Sequence, residues 1–450
     1  MPGPLDLIVP NNVEFNVKYP LLTFDPGTEK AFVEYGTALA DQCVFWSSAD
    51  RVLVLPAGYS EPWLDDVHRG LGQDTPPVVR PAARTGRLIS DLLHDERALA
   101  ALRGALAGRE VRLLTWGAAP EVYALAAAVR SWGAAVRLDV AEQEDYWSSH
   151  YLEAKLSCVD LAARVPGLRV PRGLTVTNWP QLQGALSAVL RSHGRAVVKS
   201  MYGVGGDGST VVRSEHGGAA KFWQAVSREP FFGTFPVCVQ EYIEHEGGCP
   251  AVDMLIGDRG VERAVASVLA VDGLRYRSLR VGPGVLDAGT ERRLLTTGRH
   301  IAAVAQELGF RGWLGVDCIA GTDGELYVTE VNARRTGAMH AIALLDDAPG
   351  KDLAGYSHDM LPLRIGTAPS YERHVRPVFE ELWRRGVRAY PSTVRNLGRP
   401  RPSFGIVVLA TTAEEAELIA ETAHRAVDDA LARDGRAAAH PATATTGGRT

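Results

Sequence analysis

Two acids and one amide in the last third of the chain could bind a metal ion. Asp317, Glu330 and Asn332 lie on two apolar runs that are separated by Thr322-Asp323-Gly324. An Asp-Gly pair between apolar runs is a strong signal for a β-hairpin. Because side chains alternate along a strand, Glu330 and Asn332 share one face, and pairing across the turn can place Asp317 against it. Such an all-oxygen set suits Mg²⁺, which shares its coordination with waters and nucleotide phosphates.

The predicted arms of this hairpin run from Trp313 to Ala320 and from Glu325 to Asn332. Arg334 follows the second arm, where its guanidinium could hold an anion through two parallel hydrogen bonds. The alternative interpretation is a solvated hairpin whose acids have no common ligand.

A glycine-rich stretch lies upstream, after the apolar run that carries Lys199. Its glycines are Gly203, Gly205, Gly206 and Gly208. A dinucleotide-binding fingerprint must lead into a helix, but Ser209 to Arg213 is β-branched and predicts a second strand. A Walker A loop is excluded because its Gly-Lys-Ser/Thr sequence is missing. The pattern therefore predicts a glycine flap between two strands, with backbone N–H groups that can approach phosphates and with Lys199 as a point charge.

The order of lysine strand, glycine flap and carboxylate hairpin resembles the ATP-grasp superfamily of carboxylate–amine ligases. The resemblance extends from about Leu152 to Leu345. It implies an ATP-grasp fold in which Lys155 and Lys199 contact the nucleotide phosphates together with the flap. A hinge strand would meet adenine, and its residues are Glu241, Tyr242 and Ile243. A following acid would hold the ribose hydroxyls; Glu244 and Glu246 both fit, and Glu246 is preferred.

The resemblance also implies the metal ligands Asp317, Glu330 and Asn332, and hence ATP and Mg²⁺ as cofactors. The chain departs from the family pattern at Gly315 and Val316, where a basic residue often precedes the first metal acid. We expect Arg280 to contact the γ-phosphate instead. Arg334 is expected to hold the acyl substrate or the tetrahedral oxygen that develops during the reaction.

The whole length resembles the pheganomycin-type peptide ligases more narrowly. That resemblance implies ligation of a small-molecule carboxylate, through an acyl phosphate, to the amino group of an amino acid or peptide, in the biosynthesis of an antibiotic-like peptide natural product. Two alternatives remain: a phosphotransferase on the same fold and a non-catalytic ATP-binding module. A module that only binds ATP would have little need for every group that phosphoryl transfer requires.

Composition excludes several other classes of protein. The chain has 450 residues and a net charge of −5 with interspersed acids and bases, so we expect no nucleic-acid partner. Its five cysteines are scattered without a Cys-x-x-Cys pair, which disfavours disulfides and structural zinc. Without a leader pattern or an apolar run long enough to span a membrane, we expect a cytoplasmic enzyme. A homodimer is an expectation from the resemblance alone.

The chain is predicted to mix α/β and α+β architecture in three parts and a tail. Residues 1–150 should form a doubly wound pre-ATP-grasp domain, 151–345 the ATP-grasp domain, 346–436 a small carboxy-terminal α+β segment, and 437–450 a disordered tail. In the first part the apolar runs predict strands at these positions: Leu5–Val9, Arg51–Leu55, Val111–Thr115 and Ala135–Asp139.

Several further residues have two interpretations each. A polar cluster follows the first strand, where such sheets place ligands, but its members could equally be loop and cap residues. The cluster consists of Asn11, Asn12, Glu14 and Asn16. His300 is expected at the surface and Cys318 in the core, whereas His340 could contact substrate or be structural. Helices are predicted over Asp287–Gly309, Ser370–Arg385 and Ala413–Arg433.

Overall fold

Three β-sheets and the helices that pack on them form the described part of the chain. The structure is a computed structural model. It describes residues 4–17, 25–203, 205–214, 222, 230–232, 235–348, 352–364 and 368–439. Within these residues, no helix is both long enough and apolar enough to cross a membrane.

The first sheet contains five parallel strands in the order β3-β2-β1-β4-β5. Its strands are β1 (Leu5–Val9), β2 (Arg51–Val54), β3 (Val78–Val79), β4 (Val111–Thr115) and β5 (Val136–Leu138). Leu7 and Val9 pack into one apolar core and Ile8 into another, because helices or neighbouring elements cover both faces. The four predicted strands and the parallel doubly wound sheet are therefore confirmed.

Seven helices accompany this sheet within the described residues. They are α1 (Asn12–Val17), α2 (Pro26–Leu39), α3 (Glu61–Leu71), α4 (Leu88–Leu93), α5 (Glu96–Leu106), α6 (Pro120–Ser131) and α7 (Tyr146–Glu153). Short 3₁₀ helices at Ala40–Phe45 and Gln143–Asp145 connect them. Pro120 is the first residue of α6, where a proline loses no helical hydrogen bond.

A small second sheet has four antiparallel strands in the order β6-β9-β7-β8. Its strands are β6 (Gly173–Val176), β7 (Arg195–Ser200), β8 (Ser209–Arg213) and β9 (Val237–Glu241). Helix α9 (Trp179–His193) packs on this sheet. Helix α8 (Ser157–Arg164) precedes it in the chain and packs in a different core, which includes Leu314 and Val328. Lys199 pairs with Ser209 across β7 and β8, so the glycines connect two strands and the predicted flap topology is confirmed.

The third sheet has eight antiparallel strands in the order β14-β13-β10-β11-β12-β15-β17-β16. Its strands are β10 (Cys249–Gly257), β11 (Gly260–Asp272), β12 (Arg275–Val281), β13 (Gly312–Ala320), β14 (Leu326–Asn332), β15 (Ala354–Pro362), β16 (Arg388–Thr393) and β17 (Ser403–Ala410). The predicted hairpin is β13–β14, and Gly324 in its turn has the positive φ of +80° that a glycine accepts without strain.

In the part of the chain that the structure describes, four helices accompany the large sheet: α10 (Ala288–Glu307), α11 (Met339–Asp346), α12 (Arg376–Arg384) and α13 (Ala413–Ala439). Asp287 caps α10 by accepting hydrogen bonds from the backbone N–H groups of Gly289 and Thr290, as predicted for this helix. The predicted helix near Ser370–Arg385 begins as a π-helical turn and continues as α12.

The predicted boundary at residue 345 does not interrupt the sheet. Strand β12 pairs directly with β15, so the third part of the chain continues the eight-stranded sheet. Helix α13 extends to Ala439, beyond the predicted end at Arg433, and residues 437–439 are helical where we predicted a tail. The remainder of that predicted tail, residues 440–450, lies outside the described residues.

Candidate active site

A deep cavity lies between the four-stranded sheet and the eight-stranded sheet. Its empty volume is about 1500 Å³, including the space that opens to solvent. We call one end the hinge end; its wall consists of Pro171, Val197, Gln240, Tyr242, Ile243 and Ile319. We call the opposite end the far end; its wall consists of Tyr35, Leu39, Tyr276, Leu279, Gly337 and Asp359. All three parts of the chain therefore contribute to one cavity.

The acids of the carboxylate hairpin face this cavity between its two ends. Asp317 on β13 pairs directly with Glu330 on β14, and both residues line the cavity. Burial, followed by the negative charge of Glu330, raises the pKa of Asp317 to about 7. Two carboxylates this close repel one another, so a hard cation between them would stabilise both. The residues present therefore fit Mg²⁺.

Asn332 completes the predicted ligand set but is oriented toward protein partners. Its Nδ2 donates a hydrogen bond to Asp317 Oδ2 at 3.0 Å, and its Oδ1 accepts one from Arg334 Nη2 at 2.8 Å. An oxygen ligand to a metal at Asp317 requires the amide to turn over and release Arg334. Among the described residues, no three His, Cys, Asp or Glu side chains gather as a metal site.

Two lysines border the acids, as the sequence predicted for phosphate contacts. Lys199 lines the cavity, and its Nζ donates to the backbone oxygen of Thr329 at 3.1 Å. Burial and the nearby charge of Lys155 lower the pKa of Lys199. Lys155 Nζ lies 3.9 Å from Glu330 Oε1 and donates to Ser209 Oγ at 3.2 Å. Both ammonium groups thus adjoin the acids, where they could hold phosphate oxygens; their role with nucleotide stays a prediction.

The glycine flap packs against the turn between β11 and β12. Gly205 and Gly206 line the cavity, and the backbone oxygen of Gly205 accepts a hydrogen bond from Tyr276 N at 3.2 Å. Gly206 has a φ of +98°, and a Cβ there would collide with the backbone oxygen of Leu274. The flap therefore covers the cavity in a docked position that needs glycine.

The other two predicted flap residues support the loop and do not line the cavity. A Cβ on Gly203 would collide with the backbone oxygen of Asp207, and a Cβ on Gly208 would collide with Ser200 Oγ. Gly208 also has a positive φ of +73°. These glycines allow the loop to fold tightly, which is a different role from phosphate contact.

The predicted hinge residues Glu241, Tyr242 and Ile243 line the hinge end. The carboxylate of Glu241 already accepts a hydrogen bond from Arg172 N at 2.9 Å. If Glu241 contacts adenine, we therefore expect its backbone N–H or C=O, rather than its carboxylate, to make the contact.

The two acids considered for the ribose do not line the cavity, although His245 between them does. Glu244 forms an ion pair with Arg195. The choice of Glu246 for the ribose thus gains no support from the wall of the cavity, and its role remains a prediction.

Arg334 lines the cavity and is held by three protein acceptors. Its Nε donates to Glu153 Oε1 at 3.0 Å, its Nη1 to the backbone oxygen of Arg335 at 3.0 Å, and its Nη2 to Asn332 as given above. The guanidinium also lies 5.5 Å from the ring centre of Trp116. These contacts hold the guanidinium beside Asn332, where its positive charge lowers the pKa of Asp317 and so partly opposes the effect of burial.

The expectation for Arg280 is corrected by the structure. Leu279 lines the far end of the cavity, and Arg280, its neighbour on β12, points to the opposite face because strand side chains alternate. There Arg280 donates to Glu414 Oε1 at 2.8 Å and pairs with Glu417, both on helix α13. Arg280 therefore fastens a helix to the sheet and does not reach a phosphate site at the acids.

A family model described as an ATP-grasp domain matches residues 167–338. Residues 167–338 are thus similar to an ATP-grasp domain. The matched segment begins before β6 and ends in the loop that follows Arg334, so it includes the four-stranded sheet and strands β10 to β14 of the eight-stranded sheet. No curated protein matches the sequence.

Solved structures with an ATP-grasp domain share the whole architecture. An N5-carboxyaminoimidazole ribonucleotide synthetase in complex with ADP has a TM-score of 0.55 at 14% identity, over 96% of this chain and 98% of its own. Biotin carboxylase from Campylobacter jejuni also has a TM-score of 0.55 at 14% identity, over 96% and 95%. An L-amino acid ligase from Bacillus licheniformis has a TM-score of 0.52 at 14% identity, over 95% and 97%. The similarity confirms the predicted ATP-grasp fold.

Sequence reasoning did not identify several residues of the ATP-grasp cavity. They are Tyr35, Trp116, Asp253, Tyr276 and Asp359. Asp253 is the single charge in the apolar run Ala251–Ile256, and a lone acid in a buried strand is a usable signal. Tyr276 lies four residues before Arg280, whereas Tyr35 and Asp359 are distant in sequence from every motif.

His340, Cys318 and His300 do not line the cavity. His340 is buried, and its Nε2 lies 2.6 Å from Ser357 Oγ; it does not line the cavity. Cys318 is buried in the core, and burial raises the pKa of its thiol. His300 is exposed.

The amino-terminal polar cluster is buried and partly hydrogen-bonded. Asn11 Oδ1 accepts from Trp116 N at 2.8 Å, and Glu14 Oε1 accepts from Ile89 N at 2.5 Å. Asn12 and Asn16 are buried as well. Asn11 and Glu14 thus connect the loop after β1 to neighbouring loops of the first sheet.

Proposed function

We propose that this protein is an ATP-dependent ligase that joins the carboxylate of a small molecule to the amino group of an amino acid or peptide. The observation that carries the proposal is the position of the Asp317–Glu330 pair. Both acids line a cavity whose wall also includes the hinge residues Tyr242 and Ile243 and the far-end residues Tyr35 and Asp359. Transfer of a phosphoryl group between two bound molecules needs this arrangement.

Each charged group beside the acids has a role in this proposal. Asp317, Glu330 and Asn332 would hold Mg²⁺, which would offset phosphate charge during phosphoryl transfer. Lys155 and Lys199 hold phosphate oxygens from the side of the small sheet. Arg334 faces the acids from the other side, where it orients the substrate carboxylate and stabilises the oxyanion that forms when the amine attacks.

The reaction has two steps. A carboxylate oxygen of the acid substrate attacks the γ-phosphorus of ATP, and ADP leaves, giving an acyl phosphate. The neutral amine then attacks the acyl carbon, inorganic phosphate leaves with the bonding electrons, and the amine loses a proton as the amide forms. The docked flap, fixed through Gly205 and Gly206, excludes water that would hydrolyse the acyl phosphate.

The comparisons support the class of reaction. The L-amino acid ligase that shares the fold carries that activity in its name, and this agrees with ligation of an amino acid by the present chain. We further propose that the product is a peptide natural product of the antibiotic type, as the resemblance to pheganomycin-type ligases implies.

The test is ³¹P NMR of the protein with ATP, Mg²⁺, pooled amino-acid-like carboxylates and short peptides. We expect ADP and inorganic phosphate only when an acid and an amine are both present. A new phosphoester signal without the amine pool would make the protein a phosphotransferase. ATP that binds but is never cleaved would make it a binding module.

A further inference from the structure

The far end of the cavity contains a buried carboxylate with no ion-pair partner among the described residues. Asp359 is 7% exposed, and its Oδ1 accepts a hydrogen bond from Gln42 Nε2 at 2.7 Å. The other wall residues here include the apolar side chains of Leu39 and Leu279. An ionised carboxylate is costly in such surroundings unless a positive charge compensates it.

A β-bulge directs Asp359 toward the cavity. The register between β15 and β17 shifts between His358 and Leu361, and Asp359 lies within this irregular segment. Bulges re-aim side chains and occur often beside active sites. Thr393 Oγ1 donates to the backbone oxygen of Asp359 at 3.1 Å, which fixes the bulged residue in place.

A second polar group without a partner faces the same place. The hydroxyl of Tyr276 is buried and has no hydrogen-bond partner among the described residues. A Cβ built on Gly337 would lie 3.4 Å from Tyr276 Oη and 3.6 Å from Asp359 Oδ2, so both groups adjoin this glycine. A carboxylate and a phenol together offer acceptors for N–H donors, which a cationic nitrogen supplies.

Building on the proposed function, we infer that the acid substrate carries a positively charged nitrogen, remote from its reacting carboxylate, which binds to Asp359 and Tyr276. ATP occupies the hinge end and the carboxylate must meet the γ-phosphate at Asp317, so the remainder of the acid extends into the far end. The amine that attacks must be neutral, and a site that holds a cation therefore suits the nitrogen that does not react.

Asp317 and Asp359 lie on strands that are four positions apart in the eight-stranded sheet. Strands β10, β11 and β12 lie between β13, which carries Asp317, and β15, which carries Asp359. Four strand spacings amount to about 19 Å in a flat sheet, and twisting of the sheet shortens this distance. A substrate that reaches both residues needs a spacer, as in an amino acid with a basic side chain or in a short peptide with a free amino end.

The test traps the acyl phosphate with hydroxylamine as a hydroxamate, which makes the assay depend on the acid alone. Three matched pairs of acids are compared: arginine with citrulline, lysine with norleucine, and short peptides with their N-acetyl forms. The first two pairs report a side-chain cation and the third a terminal amino group. We expect the cationic member of at least one pair to exceed its neutral partner in kcat/KM by about 100-fold, because a buried charge would otherwise stay unpaired.

The variants locate the preference at the proposed residues. Asp359→Asn should raise the KM for the cationic acid by about 10-fold or more and reduce its advantage over the neutral analogue, with the KM for ATP unchanged. Tyr276→Phe should act in the same direction with a smaller effect. Asp66→Asn removes another buried carboxylate, one that accepts from Tyr371 and lies remote from the cavity, and should leave both KM values unchanged while lowering stability.

The outcomes separate this inference from the proposed function. Equal use of neutral and cationic acids by the wild type would overturn the cation site and leave the ligase intact. The cation site would also be overturned if Asp359→Asn impaired use of the amine substrate alone. ATP cleavage without any acid, or no hydroxamate from any of the acids, would overturn both.

Discussion

Glu153 and Arg334 form an ion pair in which both side chains are buried, with 7% and 8% of their surfaces exposed. Glu153 Oε1 accepts from Arg334 Nε at 3.0 Å, and its Oε2 accepts from Ala333 N at 2.8 Å. One carboxylate from the end of α7 thus orients both the guanidinium and the backbone beside the metal acids. Removing one partner of such a pair leaves an uncompensated buried charge.

We therefore expect Glu153→Gln to lower the free energy of unfolding by about 3–5 kcal/mol and to reduce the rate of ADP formation. The control is Glu110→Gln, which breaks the exposed Glu110–Arg137 pair and should cost less than about 1 kcal/mol. Urea denaturation measures both. Equal losses in the two variants would show that Glu153 does not compensate Arg334.

Glu330→Gln should abolish ATP cleavage while it preserves the fold. The substitution removes both the repulsion between Glu330 and Asp317 and the attraction between Glu330 and Lys155, so we expect little net change in the stability of the metal-free protein. Thermal unfolding with and without Mg²⁺ and ATP measures this, and the variant should lose the stabilisation that they provide. Glu325→Gln, near the start of the same strand, is the control and should behave as wild type. Normal turnover by Glu330→Gln would contradict the metal assignment.

Lys199→Met should weaken ATP binding by about 10-fold or more, because the ammonium that meets the phosphates is replaced by an apolar chain of similar length. Isothermal titration calorimetry measures the Kd. Arg213→Met removes an exposed cation from the neighbouring strand and serves as the control. An unchanged ATP affinity in Lys199→Met would exclude a phosphate role for this residue.

Gly206→Ala should impair closure of the flap, because the new Cβ would collide with the backbone oxygen of Leu274. Gly273→Ala is a matched control, since Gly273 also has a positive φ, of +63°, but no atom lies within 4 Å of a Cβ there. Both variants carry backbone strain, and only the first loses the docked contact. We expect Gly206→Ala to release more phosphate per amide formed. A similar ratio of phosphate to amide in both variants would contradict the role of the docked flap.

The buried imidazole of His340 predicts a pH dependence of stability. Burial lowers its pKa from 6.5 to about 3. Between pH 6.5 and pH 3 His340 is protonated in the unfolded chain but neutral in the folded chain. The contribution of His340 to the free energy of unfolding is therefore complete above pH 6.5 and is lost as the pH falls toward 3.

His340→Gln removes this dependence. The difference in unfolding free energy between wild type and variant should shrink by about 2 kcal/mol between pH 7 and pH 5. The buried carboxylates titrate in both proteins, so their effect cancels when the unfolding free energy of the variant is subtracted from that of the wild type. His300→Gln, at the exposed histidine of α10, should show no such change. A constant difference across this pH range would mean that His340 is protonated in the folded state.

The features that sequence predicted well are those encoded locally. The Asp323-Gly324 turn fixes the register of its hairpin, and alternation along the strand then places Asp317, Glu330 and Asn332 together. The β-branched residues after Gly208 likewise identified a strand without any knowledge of the rest of the fold.

The features that sequence missed depend on pairing between distant segments. Arg280 was assigned to the cavity because nothing local shows which face of β12 is buried; helix α13, more than 130 residues later, takes that face. Asp359 enters the cavity only because β15 pairs with β12 and bulges against β17. Such contacts follow from tertiary packing, which no short motif encodes.

The continuity of the eight-stranded sheet has a consequence for engineering this protein. A chain cut after residue 345 would lose β15, β16 and β17 and would leave β12 as an exposed edge. Unpaired edges template aggregation, and Arg280 would lose the helix that it holds. The carboxy-terminal segment is therefore not a removable accessory, and a chimaera that exchanges catalytic domains must carry the whole sheet across as one unit.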